Sequence, residues 1–390
     1  MKTMHKILLL TLALLALPNA QGQAAETDPL TLDDMRTLAD VFNQVRKHYV
    51  DEVAEQALLQ AAIEGMLQEL DPWSDFMDAE QFRQFRDSSE GRYVGIGVRT
   101  DVRKQRIFIE SVTPESPAEE SGVQPGDLLL AVDGQAVRGR RLDDSLNALL
   151  GEPGSTVLLR LQSPGQQARE VKVKRDFLAV SSVFRKLVDG DIGAFLISHF
   201  TRHTHEELRD GLAALQASLG RPLGGVIFDL RGNPGGVIES AVQIADGFLD
   251  QGLIVYTRSR YEPTQIEIAA QPGQWTDDLP LVILVDGRTA SAAEVLGGAL
   301  QDHARATIIG DRTFGKGSIQ SVLALRNGSG LKLTTARYFT PSGRVIQDRG
   351  IEPDLILPRA PDNDQADPSP EPEPGIEAAI RRIRELTSGS

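Results

Sequence analysis

The 390-residue chain contains no cysteine. Disulfides, thiolate catalysis, cysteine-ligated zinc and the cysteine on which a bacterial lipid anchor is built are thereby excluded. It also lacks a long apolar run: the stretch at residues 7–17 is well short of the ~20 residues that a spanning helix needs, and no later segment is apolar enough. With Lys2 and Lys6 ahead of it and small residues behind, that stretch reads as a secretory signal running to about Ala24, where Ala20 and Ala24 both fit as the last residue removed. The expectation is a soluble exported chain, periplasmic or otherwise outside the cytoplasm, with no membrane span once the signal is cleaved. Positive charge is scarce as well. Formal net charge is −14, and removing the two lysines of the signal takes it to −16. Such a surface repels nucleic acid and anionic lipid.

What is present is a globular composition, 41% hydrophobic and 25% charged, enough for a proper core and two or three domains. From Thr31, apolar residues at Leu32, Met35, Leu38, Val41, Phe42, Val45 and Tyr49 keep a helical period, and a second helix is expected from about Glu55 to Leu70. The segment LDPWSDFMDAEQFRQF opens with turn chemistry at Asp71-Pro72 and carries aromatics suited to packing. Residues 91–178 change character: the short runs YVGIGV, RIFIESV, DLLLAVDG, TVLLRLQ and REVKVKR read as strands, with helix candidates SPAEESG and RLDDSLNALLG between them. This compact β-rich stretch resembles a PDZ domain, and on that resemblance Gly95-Ile96-Gly97 is the loop whose N–H groups hold a terminal carboxylate while the peptide adds to the sheet edge.

From about Gly190 the pattern becomes α/β. Strands IGAFLISHF, GGVIFDLR, LIVYTRS, LVILVDG and ATIIGD alternate with helices near 204–219, 237–249 and 291–302, and SIQSVLAL and LKLTTARYF close the domain. Unbroken apolar strands such as LVILV point to burial on both faces. PDNDQADPSPEPEPG then shifts to an acidic, proline-rich composition expected to be extended, and GIEAAIRRIREL reads as a short helix, either a solvated tail or an assembly contact.

In TASAAEVLGG, Ser291 precedes an apolar run with Glu294 three positions on, the capping-box pattern. A catalytic serine needs a base. His303 is twelve residues along the same helix, about 18 Å away at 1.5 Å per residue, and cannot serve. His199, His203 and His205 straddle a strand end and a polar loop, which favours a surface cluster over a metal site, and His199 or His205 could serve Ser291 only through a tertiary approach that the sequence does not foretell. Lys316 is different: the helix after Ser291 runs out, and the strand ATIIGD returns to TFGKGSIQ, so the spacing allows a Ser/Lys pair. Such a lysine must be neutral to take the hydroxyl proton, which requires burial. The N–H of Ala292 and the glycine-rich turn DLRGNPGG are candidate oxyanion donors, and that turn is no Walker motif.

Six segments in order, DPWSDFM, the PDZ-like module, DLRGNPGG, VDGRTASAAEVLGGALQD, TFGKGSIQ and RYFTPSGRVIQDRGIEPD, resemble the carboxyl-terminal processing (tail-specific) serine proteases. The resemblance implies an α+β multidomain chain, an α/β serine-protease core with an inserted β-rich PDZ domain and an N-terminal helical arm. The divisions expected are a signal peptide at 1–24, a helical segment at 25–83, the PDZ domain at 84–178, the catalytic core at 179–359, and an acidic linker with a short helix at 360–390. It makes Ser291 the nucleophile, Lys316 the general base, Gln320 the residue orienting the lysine, and Gly236 and Ala292 the oxyanion donors. In a straight strand Lys316 and Gln320 would be about 13 Å apart, so their contact requires a bend at Gly317. No metal or cofactor is implied. The partners expected are proteins with unstructured C-terminal tails; an adaptor protein is left open, and a homo-oligomer is expected. The competing reading is a catalytically silent PDZ-containing binding or scaffold protein of the cell envelope.

Overall fold

The computed structural model describes residues 30–103, 106–138, 142–179, 181–260, 265–276, 279–357 and 374–388. The expected signal peptide and most of the acidic linker lie outside them. The chain divides into two compact units, before and after the junction of Gly65 and Met66. In the first, α1 (Leu32–His48) starts with a capping box between Thr31 and Asp34 and ends in Arg46, Lys47 and His48, charges that suit the macrodipole at each end. α2 (Glu55–Gln68) follows, its start tied to α1 by an Arg46–Glu55 ion pair at 2.8 Å, and runs across the division between the units.

The second unit opens with β1 (Asp75–Met77), α3 (Ala79–Ser89) and β2 (Arg92–Gly95). α3 is not visible in the periodicity of DAEQFRQF; a capping box between Asp78 and Gln81 starts it. The β-rich module comprises β3 (Val98–Arg103), β4 (Arg106–Val112), α4 (Pro117–Glu120), β5 (Leu128–Val132), β6 (Gln135–Ala136), α5 (Leu142–Asn147), β7 (Thr156–Gln162) and β8 (Arg169–Lys174). The single run YVGIGV becomes two strands because Gly97, at φ 87°, turns the chain between β2 and β3. The sheet order is β3-β4-β5-β7-β8 with β6 on β5, and alternate residues of β7 (Val157, Leu159, Leu161) fill the module's own core. β9 (Asp176–Ala179) pairs antiparallel with β2, so a two-stranded ribbon joins the module to the rest of the unit.

The remaining elements are β10 (Val183–Val188), β11 (Ile192–Ile197), α6 (Thr204–Leu219), β12 (Gly225–Asp229), α7 (Ile238–Asp246), β13 (Leu253–Ser259), β14 (Glu267–Ala269), β15 (Leu281–Val285), α8 (Ala292–Asp302), β16 (Thr307–Gly310), β17 (Ser318–Ala324), β18 (Gly330–Phe339), β19 (Leu355–Ile356) and α9 (Pro374–Ser388). The main sheet runs β10-β11-β12-β15-β16-β19, parallel from β11 onward. Its central strands β12 and β15 are buried on both faces, as their unbroken apolar runs require, while the edge strands β10 and β19 are largely exposed. One face packs on α6, α7 and α8 through Phe195, Phe228 and Phe248, whose rings meet edge to face. The other face is covered by α9: Ile376, Ala379 and Ile383 sit against Ile227, Val282 and Leu284. The terminal helix is therefore not a solvated tail, because a doubly buried sheet needs a second layer. LIVYTRS also departs from expectation. As β13 it leaves the parallel sheet and pairs antiparallel with β18, in a second sheet β1-β18-β13-β14 with β17 on β18.

Within the module, Asp127 is fully buried and bonded to Arg169 at 2.7 Å and to the Ser163 hydroxyl at 2.6 Å. Burial alone pushes its pKa up, but the bonds from Arg169, Ser163 and the Gln124 N–H outweigh it and hold the carboxyl below its ordinary value. A depressed acid stabilises the fold above its unfolded pKa and loses that contribution as pH falls through the folded one. Asp127→Ala should therefore cost the module about 3 kcal/mol at neutral pH, with the deficit shrinking below about pH 4. Amide exchange across β5, β7 and β8 reads this; unchanged protection would contradict it.

Candidate active site

Three adjacent parallel strands, β12, β15 and β16, end on the same edge, the edge where α/β sheets place ligands. The loops that follow them carry DLRGNPGG, DGRTAS and TFGKGS. Asp286 ties the first two together by accepting the N–H of Gly232 at 2.9 Å and those of Arg288 and Thr289 at 3.0 Å. Asn233, wholly buried, adds a second tie: its amide donates to the Ile197 carbonyl at 2.7 Å, its side-chain oxygen accepts from Gly235, and its own carbonyl accepts the Ala290 N–H.

Ser291 sits at the N-cap of α8 with φ 56° and ψ −117°, a conformation that costs a non-glycine residue about 1–3 kcal/mol and persists only where surroundings impose it. The imposing group is Glu294. Its carboxylate, with no solvent exposure, accepts the Ser291 N–H at 2.8 Å, the Thr313 hydroxyl at 2.5 Å, the Gly315 N–H at 2.7 Å and the Lys316 N–H at 2.8 Å. Burial pushes its pKa up, against the pull of these four donors. One buried side chain thus binds the main chain of both Ser291 and Lys316. Glu294 was legible as half of a capping box; its bonds to Thr313, Gly315 and Lys316 are tertiary and had no local signal.

Gly235 and Gly236 close the site from the other side. A Cβ on Gly235 would lie 2.7 Å from that of Ser291, and one on Gly236 would lie 2.1 Å from the Phe200 carbonyl oxygen. Only glycine permits this approach, and both residues have positive φ. The Phe200 bridge uses the Gly235 carbonyl and the Val237 N–H. Among the described residues neither the Gly236 N–H nor the Ala292 N–H has an acceptor. The second of these lies at the positive end of the α8 macrodipole.

Lys316 is half-buried, and burial lowers its pKa, helped by Lys332 and opposed by Asp71 and Glu294. Its ammonium lies 4.3 Å from the centre of the Trp73 ring. No hydrogen bond joins Nζ to the Ser291 hydroxyl, although the two main chains are clamped together. Gln320 is not joined to Lys316 either. Its amide nitrogen donates to the hydroxyls of Ser318, at 2.8 Å, and Thr334, at 3.2 Å. Gly315 has positive φ, the register between β17 and β18 shifts between Ile319 and Gln320, and Gly317, where the bend was expected, lies too close to Gln347 for any side chain.

The histidines are used separately. His199 bonds to the Ser198 hydroxyl, with its pKa lowered by burial, His203 pairs with Glu206, and His303 bonds to the Leu253 carbonyl. No cluster of His, Asp and Glu able to hold a metal forms among the described residues. In the β-rich module, Ile96 is buried and its carbonyl accepts the Ala118 N–H, while the Gly97 carbonyl accepts that of Thr113. Gly95 pairs with Asp176 in the ribbon, and β3 beyond the loop is an edge strand with no neighbour on its outer side among the described residues.

Comparison with known proteins bears on this geometry. Residues 191–357 match the model of peptidase family S41, residues 108–174 that of a PDZ domain, and residues 15–81 that of the activating protease CtpB N-terminal domain. A carboxy-terminal-processing protease of Bartonella bacilliformis is 37% identical over 340 residues, 87% of this chain and 78% of that protein. The carboxy-terminal processing protease CtpA of Bacillus subtilis is 33% identical over 319 residues, 82% of this chain and 68% of that one. Among solved structures, a putative S41 protease from Bacteroides fragilis superposes with a TM-score of 0.51 at 16% identity, covering 81% of this chain and 89% of that one, a likeness of fold.

An amide at position 294 would offer one acceptor oxygen in place of two and turn an NH2 group toward N–H donors. Glu294→Gln should therefore lower unfolding free energy by about 2–4 kcal/mol in urea. A loss under about 1 kcal/mol would show that the four bonds are not what holds the two loops.

Proposed function

Since this chain belongs to peptidase family S41, as a serine peptidase of the carboxy-terminal-processing kind with a PDZ domain, we propose that it is an exported endopeptidase that holds the C-terminal tail of a protein in its PDZ groove and cleaves with Ser291 as nucleophile and Lys316 as general base. The observation that carries the reading is the pair of unused N–H groups, Gly236 and Ala292, beside a strained serine whose main chain shares one buried carboxylate with that of a half-buried lysine. A binding protein has no need of such a set.

In the proposed reaction the neutral Lys316 amine takes the Ser291 hydroxyl proton as Oγ attacks the peptide carbonyl carbon. The carbonyl electron pair moves to oxygen, which receives the N–H groups of Gly236 and Ala292. Collapse of this intermediate breaks the C–N bond, the Lys316 ammonium supplies the proton to the leaving amine, and an acyl ester remains on Ser291. Water then attacks the ester, Lys316 takes its proton, and that proton returns to Oγ as the ester bond breaks. Gln320, which follows the register shift between β17 and β18, orients the lysine once the amine has turned toward the serine. In the PDZ domain the outer edge of β3, unpaired among the described residues, is suited to strand addition, with the loop Gly95-Ile96-Gly97 at its start to receive the tail's carboxylate. Export rests on residues 1–24, and self-assembly or an adaptor belongs to the same proposal without a surface assigned to it.

The test is hydrolysis of an unfolded protein such as casein. Ser291→Ala and Lys316→Met should each lose about four orders of magnitude in kcat/KM or more. Since the base works only when neutral, wild-type kcat/KM should fall as pH drops through a lysine pKa displaced downward from 10.5 by burial. Equal turnover by wild type and Ser291→Ala, or activity that rises on acidification, would overturn the proposal.

A further inference from the structure

The ammonium of Lys316 has a defined resting place. Asp71 builds it: its carboxylate accepts the N–H groups of Trp73 and Ser74 at 2.7 and 2.8 Å and the Ser74 hydroxyl at 3.0 Å, which folds Asp71-Pro72-Trp73-Ser74 into a tight turn. The Ser74 hydroxyl in turn accepts the Thr334 N–H, and β1 pairs with β18 at Asp75–Lys332, Phe76–Leu331 and Met77–Gly330. The Trp73 ring is then braced edge to face by Phe314, two residues before Lys316, with centres 5.9 Å apart. A rigid indole therefore faces the lysine at 4.3 Å, within the range at which an aromatic quadrupole attracts a cation.

Charged groups face Lys316 from every side. Lys332 on β18 repels the ammonium, while Asp71 and Glu294 attract it. Both carboxylates are already taken up by N–H and hydroxyl donors, and neither holds Nζ in an ion pair. The group in contact with the cation is the ring.

We propose that the face of Trp73 is a charge-dependent seat for the general base: the ammonium of Lys316 rests on the indole, and the neutral amine, which the quadrupole no longer attracts, leaves it for the Ser291 hydroxyl. Trp73 is on this view a positioning residue, acting on catalysis through Lys316. The seat couples protonation to geometry. A protonated lysine, useless as a base, is kept away from the nucleophile, and only the deprotonated form aligns. The inference rests on the reading of Lys316 as base, so its first test does not require proteolysis.

The chain has two tryptophans, so in a Trp275→Phe, Ser291→Ala background Trp73 is the sole indole. Its emission, followed from pH 6 to 10.5, should show a transition that disappears in Lys316→Met. A titration identical with and without the lysine overturns the seat. Its second test is kinetic. Removing the ring's hold on the cation makes the base easier to deprotonate, so Trp73→Leu should move the acidic limb of kcat/KM down by about 0.5 to 1.5 pH units, and Trp73→Phe, which keeps an aromatic face, should restore most of it. A limb that stays in place or moves upward in Trp73→Leu overturns the proposal. A lysine-dependent emission change without hydrolysis by any variant would support the seat and overturn the reading of the site as catalytic.

Discussion

The geometry of the site depends on one buried carboxylate. A charge removed from water is tolerated only where donors replace its hydration, and Glu294 has four of them, from Ser291, Thr313, Gly315 and Lys316. Because those donors come from two loops after two strands, satisfying the charge also fixes where the loops stand. The loop of Lys316 is held again from behind: Thr313 accepts the Ile351 N–H, and the Gly315 carbonyl accepts that of Asp348. With Asn233 and Asp286 clamping the glycine-rich turn, the serine, its candidate oxyanion donors and the lysine backbone form one rigid assembly.

The side chain of Lys316 lies outside these clamps, with its ammonium over the Trp73 ring. The main chains of Ser291 and Lys316, the proposed nucleophile and base, are thus clamped together while their side chains share no hydrogen bond. The β-rich module stands outside this assembly, joined through the ribbon of β2 and β9, where Arg92 lies over the Phe177 ring at 5.2 Å. On the proposed function, such a ribbon would let the module carry a tail without distorting the loops of Ser291 and Lys316.

Much of this was legible in sequence where the determinants are local. The parallel strands β11, β12, β15 and β16 announced themselves as apolar runs, α6 was expected at 204–219 and spans Thr204–Leu219, and the capping pattern placed Ser291 at a helix start. Failures occurred where tertiary pairing decides. LIVYTRS has an apolar run like its neighbours, yet its partner is β18; α3 is too polar for its period to show; and α9, read as either a solvated tail or an assembly contact, covers the far face of the sheet. Gln320 was placed beside Lys316 by resemblance alone; its amide donates to Ser318 and Thr334. Trp73 was noticed as a packing aromatic because nothing near it in the chain indicates that a lysine some 240 positions away lies on its ring.

The central claim is that Ser291 becomes acylated through the agency of Lys316. Intact and peptide-level mass spectrometry after acid quench of an activated ester substrate tests it most directly. The account requires an acyl adduct on Ser291 in the wild-type chain and none in Lys316→Met. An adduct on another residue, or equal acylation of Ser291 without the lysine, would contradict it.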